Sequence, residues 1–185
     1  MDIERALKIP GWMNPKELTW LAEQAAKHHF IAEVGSWMGR STTAMADNTA
    51  GFVYAIDTWK GTVGDPNFPQ EPSPDYFWNQ FSQNIGPKRL SEGNVRAMRM
   101  TSLEAAAKFA EQKMKLGMVF IDGAHDYENV RNDILAWRPL VQEGGLLCGH
   151  DYDWGYPGVV HAVRELIAPV PKQAANGSSI WYMET

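Results

Sequence analysis

Nine residues have the types and spacing to do chemistry together: Glu33, Gly35, Gly39, Asp57, Ser102, Asp122, His125, His150 and Asp151. The stretch Ile31-Ala-Glu-Val-Gly-Ser-Trp-Met-Gly-Arg-Ser-Thr-Thr43 sits at their centre. Phe30 to Val34 reads as a short buried strand, the two glycines allow a tight turn with close backbone approach, and Ser41 reads as a helix start. A strand that breaks through glycine into a helix N-terminus forms a ligand cradle, because free N–H groups and the helix dipole point into the crevice. Asp57 ends the following strand, where a carboxylate can accept both hydroxyls of a ribose. The acids and histidines further on also end strands, and in a doubly wound sheet such ends lie along one edge, so these residues belong together.

The glycine spacing narrows the ligand. Gly35 and Gly39 stand four apart with Trp37 and Met38 between them, whereas a dinucleotide site wants G-x-G-x-x-G so that pyrophosphate can rest on the backbone. A phosphate-binding P-loop fails too: Gly35 to Ser41 is one residue short and has arginine for lysine. A ligand with a ribose and no pyrophosphate fits better.

These residues need elements to hold them. Asn14-Pro-Lys-Glu17 starts a helix, with Asn14 as N-cap and Glu17 closing a capping box. His28 and His29 close that helix, where cations suit the dipole. Strands are expected at Phe30 to Val34, Phe52 to Asp57, Asn94 to Met100, Leu116 to Ile121 and Leu146 to Cys148, the last following a Gly-Gly turn. Helices are expected at Ser41 to Asn48, Tyr76 to Ile85, after a Ser102 cap, through Val130, Ile134 and Trp137, and from Pro157. Ser179 to Met183 closes the chain as a strand. Strand and helix alternate five times, which argues for an α/β doubly wound, mostly parallel sheet with helices on both faces and a closing antiparallel strand. The chain reads as one domain: a helical cover over 1–29, a core over 30–168 and a closing hairpin over 169–185. The long stretch Thr58 to Asp75, rich in Pro, Gly and aromatics, reads as a functional loop.

Bulk properties set limits. The 185 residues, 44% hydrophobic, can bury a core without staples, and a net charge of -5 gives no basic stripe, so no nucleic-acid partner is expected. The single Cys148 reads as a core residue, and no stretch is apolar for long enough to span a bilayer, so no membrane partner is expected and the setting reads as cytoplasmic. His161 reads as a surface residue, and Trp59, Trp78 and Trp154 as aromatics beside the strand ends that could stack on a ring or sugar.

Four blocks in order, Glu-Val-Gly-Ser-Trp-Met-Gly-Arg-Ser41, Ala-Ile-Asp57, Val-Phe-Ile-Asp-Gly-Ala-His125-Asp-Tyr and Gly-Gly-Leu-Leu-Cys-Gly-His-Asp-Tyr152, resemble the class I S-adenosylmethionine-dependent methyltransferases. Within these the chain is most similar to the metal-dependent O-methyltransferases of the catechol and macrolide-sugar type, over roughly Phe30 to Leu166. The resemblance implies that Glu33, Gly35, Ser36 and Gly39 wrap the methionine part of the cofactor, that Ser41 also binds the cofactor, and that Asp57 takes the ribose hydroxyls. It implies Thr58 and Trp59 beside the adenosine, Ser102 at the adenine, and Asp122 shared between the cofactor and the catalytic site. It implies His125 as catalytic base and Asp122, His150 and Asp151 as ligands of Mg²⁺ or another divalent cation. His150 departs from the carboxylate usual there: either the ion is missing or a softer one replaces Mg²⁺, since imidazole suits transition metals. The implied acceptor is a small hydroxylated molecule, a sugar, phenol or natural product, and a homodimer is left open. Two other readings remain: a catalytically inactive cofactor-binding scaffold or regulator, and an NAD-dependent oxidoreductase, against which the missing G-x-G-x-x-G speaks.

Overall fold

A computed structural model describes residues 1–61, 73, 75–167, 171–174 and 177–185. Among the described residues, seven strands form one sheet: β1 (Phe30–Val34), β2 (Phe52–Asp57), β3 (Val95–Arg99), β4 (Leu116–Ile121), β5 (Val141–Gly149), β6 (Lys172–Gln173) and β7 (Trp181–Glu184). Their order is β3-β2-β1-β4-β5-β7-β6. The first five are parallel, while β7 runs antiparallel to β5 and β6 antiparallel to β7. Strand order reverses between β1 and β4, so their carboxyl ends open the crevice where sheets of this kind take ligands.

The helices are α1 (Glu4–Leu7), α2 (Pro15–Ala25), α3 (Arg40–Ala46), α4 (Tyr76–Ile85), α5 (Pro87–Ser91), α6 (Ser102–Glu111), α7 (Tyr127–Trp137) and α8 (Pro157–Leu166). Two apolar clusters cover the two faces of the sheet. Leu18, Leu21, Met45, Phe77 and Phe81 pack with Ile31, Met118 and Phe120 on one side. Phe109, Val130, Ile134, Trp137 and Val163 pack with Ala32, Val119 and Ile121 on the other. Every residue of β4 is buried, as a central strand covered on both faces requires. The doubly wound α/β architecture with a closing antiparallel strand is therefore the observed one.

Local chemistry explains the ends of these elements. Asn14 accepts from the N–H groups of Lys16 and Glu17 while the Glu17 carboxylate accepts from Asn14 N–H, which forms the expected capping box of α2. At α6 the cap is Thr101, paired with Glu104, and not Ser102, which is the first helical residue. A hydroxyl one position earlier serves the same role, and Thr101 has its Glu three residues on. β5 starts at Val141, so Gly144 and Gly145 lie inside the strand instead of forming a turn before it; Gly144 has φ +71°. Helix α2 ends at Ala25, which leaves His28 and His29 beyond it, and the His28 ring packs beside Gly117. Helix α3 begins at Arg40, capped by Gly39 in the left-handed region. The short helices α1 and α5 were not expected, being too brief for an apolar period to show. Most of the expected functional loop, residues 62–72 and 74, lies outside the described residues.

Candidate functional site

The glycine turn sits at the switch point. Gly35 has φ +87°, and a Cβ there would lie 2.1 Å from the Asp122 carbonyl oxygen, so β1 and β4 can meet at their ends only with glycine at this position. Gly39, also at φ +87°, faces Phe81 and Ile85. The turn's amides are largely engaged: Gly35 N–H donates to Ile56 O (2.9 Å), Gly39 N–H to Ser36 O (2.7 Å) and Trp37 N–H to Asp57 (2.8 Å). The expectation of free N–H groups in this cradle is corrected accordingly; the turn offers shape, and Asp57 occupies the amide.

Glu33 is fully buried and accepts hydroxyl hydrogen bonds from Ser36 (2.7 Å), Ser41 (2.5 Å) and Thr42. Burial pushes its carboxyl up to about 7, against the pull of those hydroxyls. Three residues expected to bind the cofactor, Glu33, Ser36 and Ser41, thus bond to one another and lock β1 to α3. The backbone of Gly35 and the side of Ser36 still line the adjoining cavity.

Asp57 ends β2 with each carboxylate oxygen accepting one backbone N–H, from Trp59 (2.7 Å) and Trp37 (2.8 Å). Burial raises its pKa against these donors. The backbone N–H groups of Ser36 and Thr58 also reach this carboxylate. It borders a cleft of about 520 Å³ lined by Gly35, Thr58, Met100, Ser102 and Asp133. Ser102 Oγ accepts from Trp137 Nε1 at 2.8 Å. Burial lifts Asp133 to about 6, against its hydrogen bond with Ser102. Trp59 is placed differently from the expectation of a ring beside a nucleoside. Its indole is buried, donates to Trp37 O at 2.7 Å and packs against Trp78 and Phe81, so its backbone serves the site and its ring serves the core.

Beyond Asp122 lies a cluster of acids and histidines. His125 Nε2 stands 3.1 Å from Asp151 Oδ2; His150 Nδ1 stands 3.1 Å from Asp151 Oδ1 and 3.7 Å from Asp122 Oδ1. His150 Nε2 faces Glu17 Oε1 at 3.3 Å and Ser179 Oγ at 2.9 Å. Desolvation raises Asp122 to about 8. His150 would be lowered by burial, yet Asp122, Asp151 and Glu17 around it carry it up to about 11. Asp151 is held far below the usual carboxylate range, the two histidines overcoming its desolvation. Asp151 also has a positive φ of 60°, a strained backbone that aims its carboxylate between the two rings.

The donor set fits a divalent cation. One atom each from Asp122, His150 and Asp151 lies within 4.8 Å of the others. Cis ligands at about 2.1 Å from an octahedral ion stand about 3 Å apart, close to the separations around His150 Nδ1. A ligating His150 must be neutral, so an ion would displace the proton that otherwise balances these acids.

Glu17, Ser179 and Trp12 were not foreseen near this site, whereas the 152–156 segment that carries Tyr156 was expected to shape the acceptor pocket. Glu17 already had a complete local explanation as a capping residue, and Ser179 carries no motif. Trp12 and Tyr156 line the cavity with His125 and Asp151. Trp154 is exposed, beneath the Arg164 guanidinium. His161 is exposed and stacks on Tyr127, and Cys148 is fully buried in β5.

With this geometry in view, comparison with known proteins decides the family. A methyltransferase-domain profile matches residues 32–152, from β1 through the acid-histidine cluster. The chain belongs to this methyltransferase-domain family. Among solved structures, this methyltransferase-domain chain is similar to the calicheamicin methyltransferase CalS11, with TM-score 0.71 and 16% identity over 90% of this chain and 76% of that one. It is also similar to the O-methyltransferase from Bacillus cereus in complex with SAH, with TM-score 0.69 and 18% identity over 99% of this chain and 90% of that one. The O-methyltransferase NovP gives TM-score 0.63 at 16% identity, over 91% of this chain and 79% of that one. At such identities these likenesses carry the fold alone, a Rossmann-like α/β methyltransferase fold. No curated protein matches. Among the described residues, no helix is long and apolar enough to cross a membrane.

Proposed function

We propose that this methyltransferase moves the methyl group of S-adenosylmethionine to a hydroxyl of a small acceptor, with His125 as the base. The observation that carries the reading is the 3.1 Å contact between His125 Nε2 and Asp151, in a cavity also lined by Gly35, Ser36 and Asp122. A base held by an acid thus faces the place where a cofactor on the glycine turn would end. Asp57 takes the ribose hydroxyls, and the cleft past Thr58 and Ser102 takes the adenine. The SAH-bound Bacillus cereus relative and the sugar-modifying fold neighbour, a TDP-rhamnose 3'-O-methyltransferase, support the cofactor and the acceptor class.

Asp151 accepts from His125 Nε2 and holds the ring in place. The imidazole removes the acceptor's hydroxyl proton. The oxygen attacks the sulfonium methyl in line; the O–C bond forms as the C–S bond breaks, and the sulfur keeps the electron pair. Holding the two reactants at attack distance supplies most of the acceleration. A divalent ion on Asp122, His150 and Asp151 would act as a Lewis acid that lowers the pKa of the acceptor hydroxyl.

Calorimetric titration with S-adenosylhomocysteine, followed by an acceptor screen with labelled methyl donor, tests the reading. Binding at micromolar levels and label in an ether product are expected. Absence of binding at hundreds of micromolar would sink it. Activity lost in EDTA and regained with Mn²⁺ or Mg²⁺ is expected; activity indifferent to EDTA removes the metal from the scheme.

A further inference from the structure

We infer that Glu17, on helix α2 outside the methyltransferase-matching segment, is a positioning residue that fixes the ring of His150 for metal binding; this rests on the metal reading above. Glu17 is buried, at 4% exposure, and its two oxygens have different tasks. Oε2 accepts from Asn14 N–H at 3.0 Å and closes the α2 cap. Oε1 faces His150 Nε2 at 3.3 Å and accepts from Ser179 N–H (3.1 Å) and Ser178 Oγ (3.2 Å). A capping residue needs only the first of these. The second draws together α2, the segment before β7 and the end of β5, three parts far apart in sequence.

The consequence for the imidazole is directional. With Glu17 Oε1 and Ser179 Oγ both on Nε2, that nitrogen keeps its proton and donates it outward. Nδ1 then carries the lone pair, and it is Nδ1 that faces Asp122 and Asp151. A carboxylate behind a ligating histidine sets its tautomer and ring angle and raises its basicity, and loss of such a partner costs about 10–100-fold in metal affinity. A histidine replacing a carboxylate ligand needs this support, since a free imidazole can flip and offer either nitrogen. Glu17 acts through His150 and touches neither cofactor nor acceptor in this scheme.

Mn²⁺ binding to the full chain, followed by electron paramagnetic resonance without substrate, tests the inference together with ¹⁵N-histidine spectra of the protein loaded with diamagnetic Zn²⁺, in which the His150 ring is neutral. In Glu17→Gln, a loss of about tenfold or more in Mn²⁺ affinity is expected, with His150 shifted away from the Nε2–H tautomer. Asn14→Ala breaks the same helix cap but leaves Glu17 Oε1 in place; it is expected to lower Tm while Mn²⁺ affinity stays within twofold. Ser179→Ala, with the carboxylate retained, is expected to show a smaller loss than Glu17→Gln. Unchanged Mn²⁺ affinity in a folded Glu17→Gln, beside a parent chain that binds, overturns the inference and leaves the metal reading standing. An equal loss in Asn14→Ala also overturns it, because general loosening of α2 would then explain both. A parent chain that binds no Mn²⁺ overturns the inference and the metal reading together.

Discussion

At the scale of single residues, the site separates groups that hold the protein together from groups that face a ligand. Glu33 shows the first kind: a buried carboxylate ringed by three hydroxyls fixes the turn and has no lone pair aimed outward by necessity. His125 shows the second, with Asp151 behind one nitrogen. Its removal should affect the chemical step. His125→Ala is expected to lower kcat by about 10²–10⁴-fold, the range for loss of a general base, with the S-adenosylhomocysteine Kd within a few-fold of the parent. An equal loss in cofactor affinity would make His125 a binding residue instead. Much of this was readable in advance, because acids and histidines at strand ends share one edge of a parallel sheet. Trp59 was not: strand-end position says nothing about whether a ring turns to the cleft or to the core, and packing against Trp78 and Phe81 turned it inward.

At the scale of elements, close approach of β1 and β4 dictates the glycine at 35. A methyl group there would collide with the Asp122 backbone at 2.1 Å on top of an unfavourable φ of +87°. Gly35→Ala is expected to destabilise by about 2 kcal/mol or more and to cut S-adenosylhomocysteine affinity at least tenfold, read by urea unfolding and calorimetry. Thr101→Ala provides a contrast. It removes the N-cap of α6, so about 1 kcal/mol of stability should go while the acid-histidine cluster is untouched. A cofactor affinity lowered beyond a few-fold in this variant would show that α6 itself positions the cleft. The Thr101 and Ser102 hydroxyls are neighbours with equal claims as caps by sequence; the backbone path and the bond from Trp137 to Ser102 settle which one caps.

At the scale of the whole molecule, the buried charges set a pH window. Burial raises the Glu17 pKa, but the bonds from His150 and the backbone overcome it and bring it to about 2, so its contribution is complete above the ordinary 4.5 and drains as pH falls through the folded value. Asp151, also depressed, behaves the same way. Glu33 and Asp122, raised to about 7 and about 8, stabilise the fold at low pH and lose that contribution as pH climbs through those values. His150, raised to about 11, contributes fully below its ordinary 6.5 and loses that contribution as pH rises towards 11. The gains end and the losses begin near the ordinary carboxylate values, so the metal-free protein should be most stable near about pH 4, seen as a maximum in the urea midpoint; a maximum at pH 8 or above would contradict this balance.

The sequence by itself determined the alternation of elements, the strand ends that carry Asp57, Asp122, His150 and Asp151, and the four-residue spacing of the glycine turn. Those features depend on local periodicity and short spacing, which a chain displays without folding. Only the tertiary structure decided that Trp37 N–H goes to Asp57, that Glu33 turns to hydroxyls, and that Glu17 and Ser179 meet His150. Those contacts join residues from α2, β5 and the segment before β7, and three-dimensional packing alone brings them within hydrogen-bond reach. The glycine turn was legible as a cradle; which of its polar groups remain for a ligand was a matter of what the rest of the fold had already bonded to it.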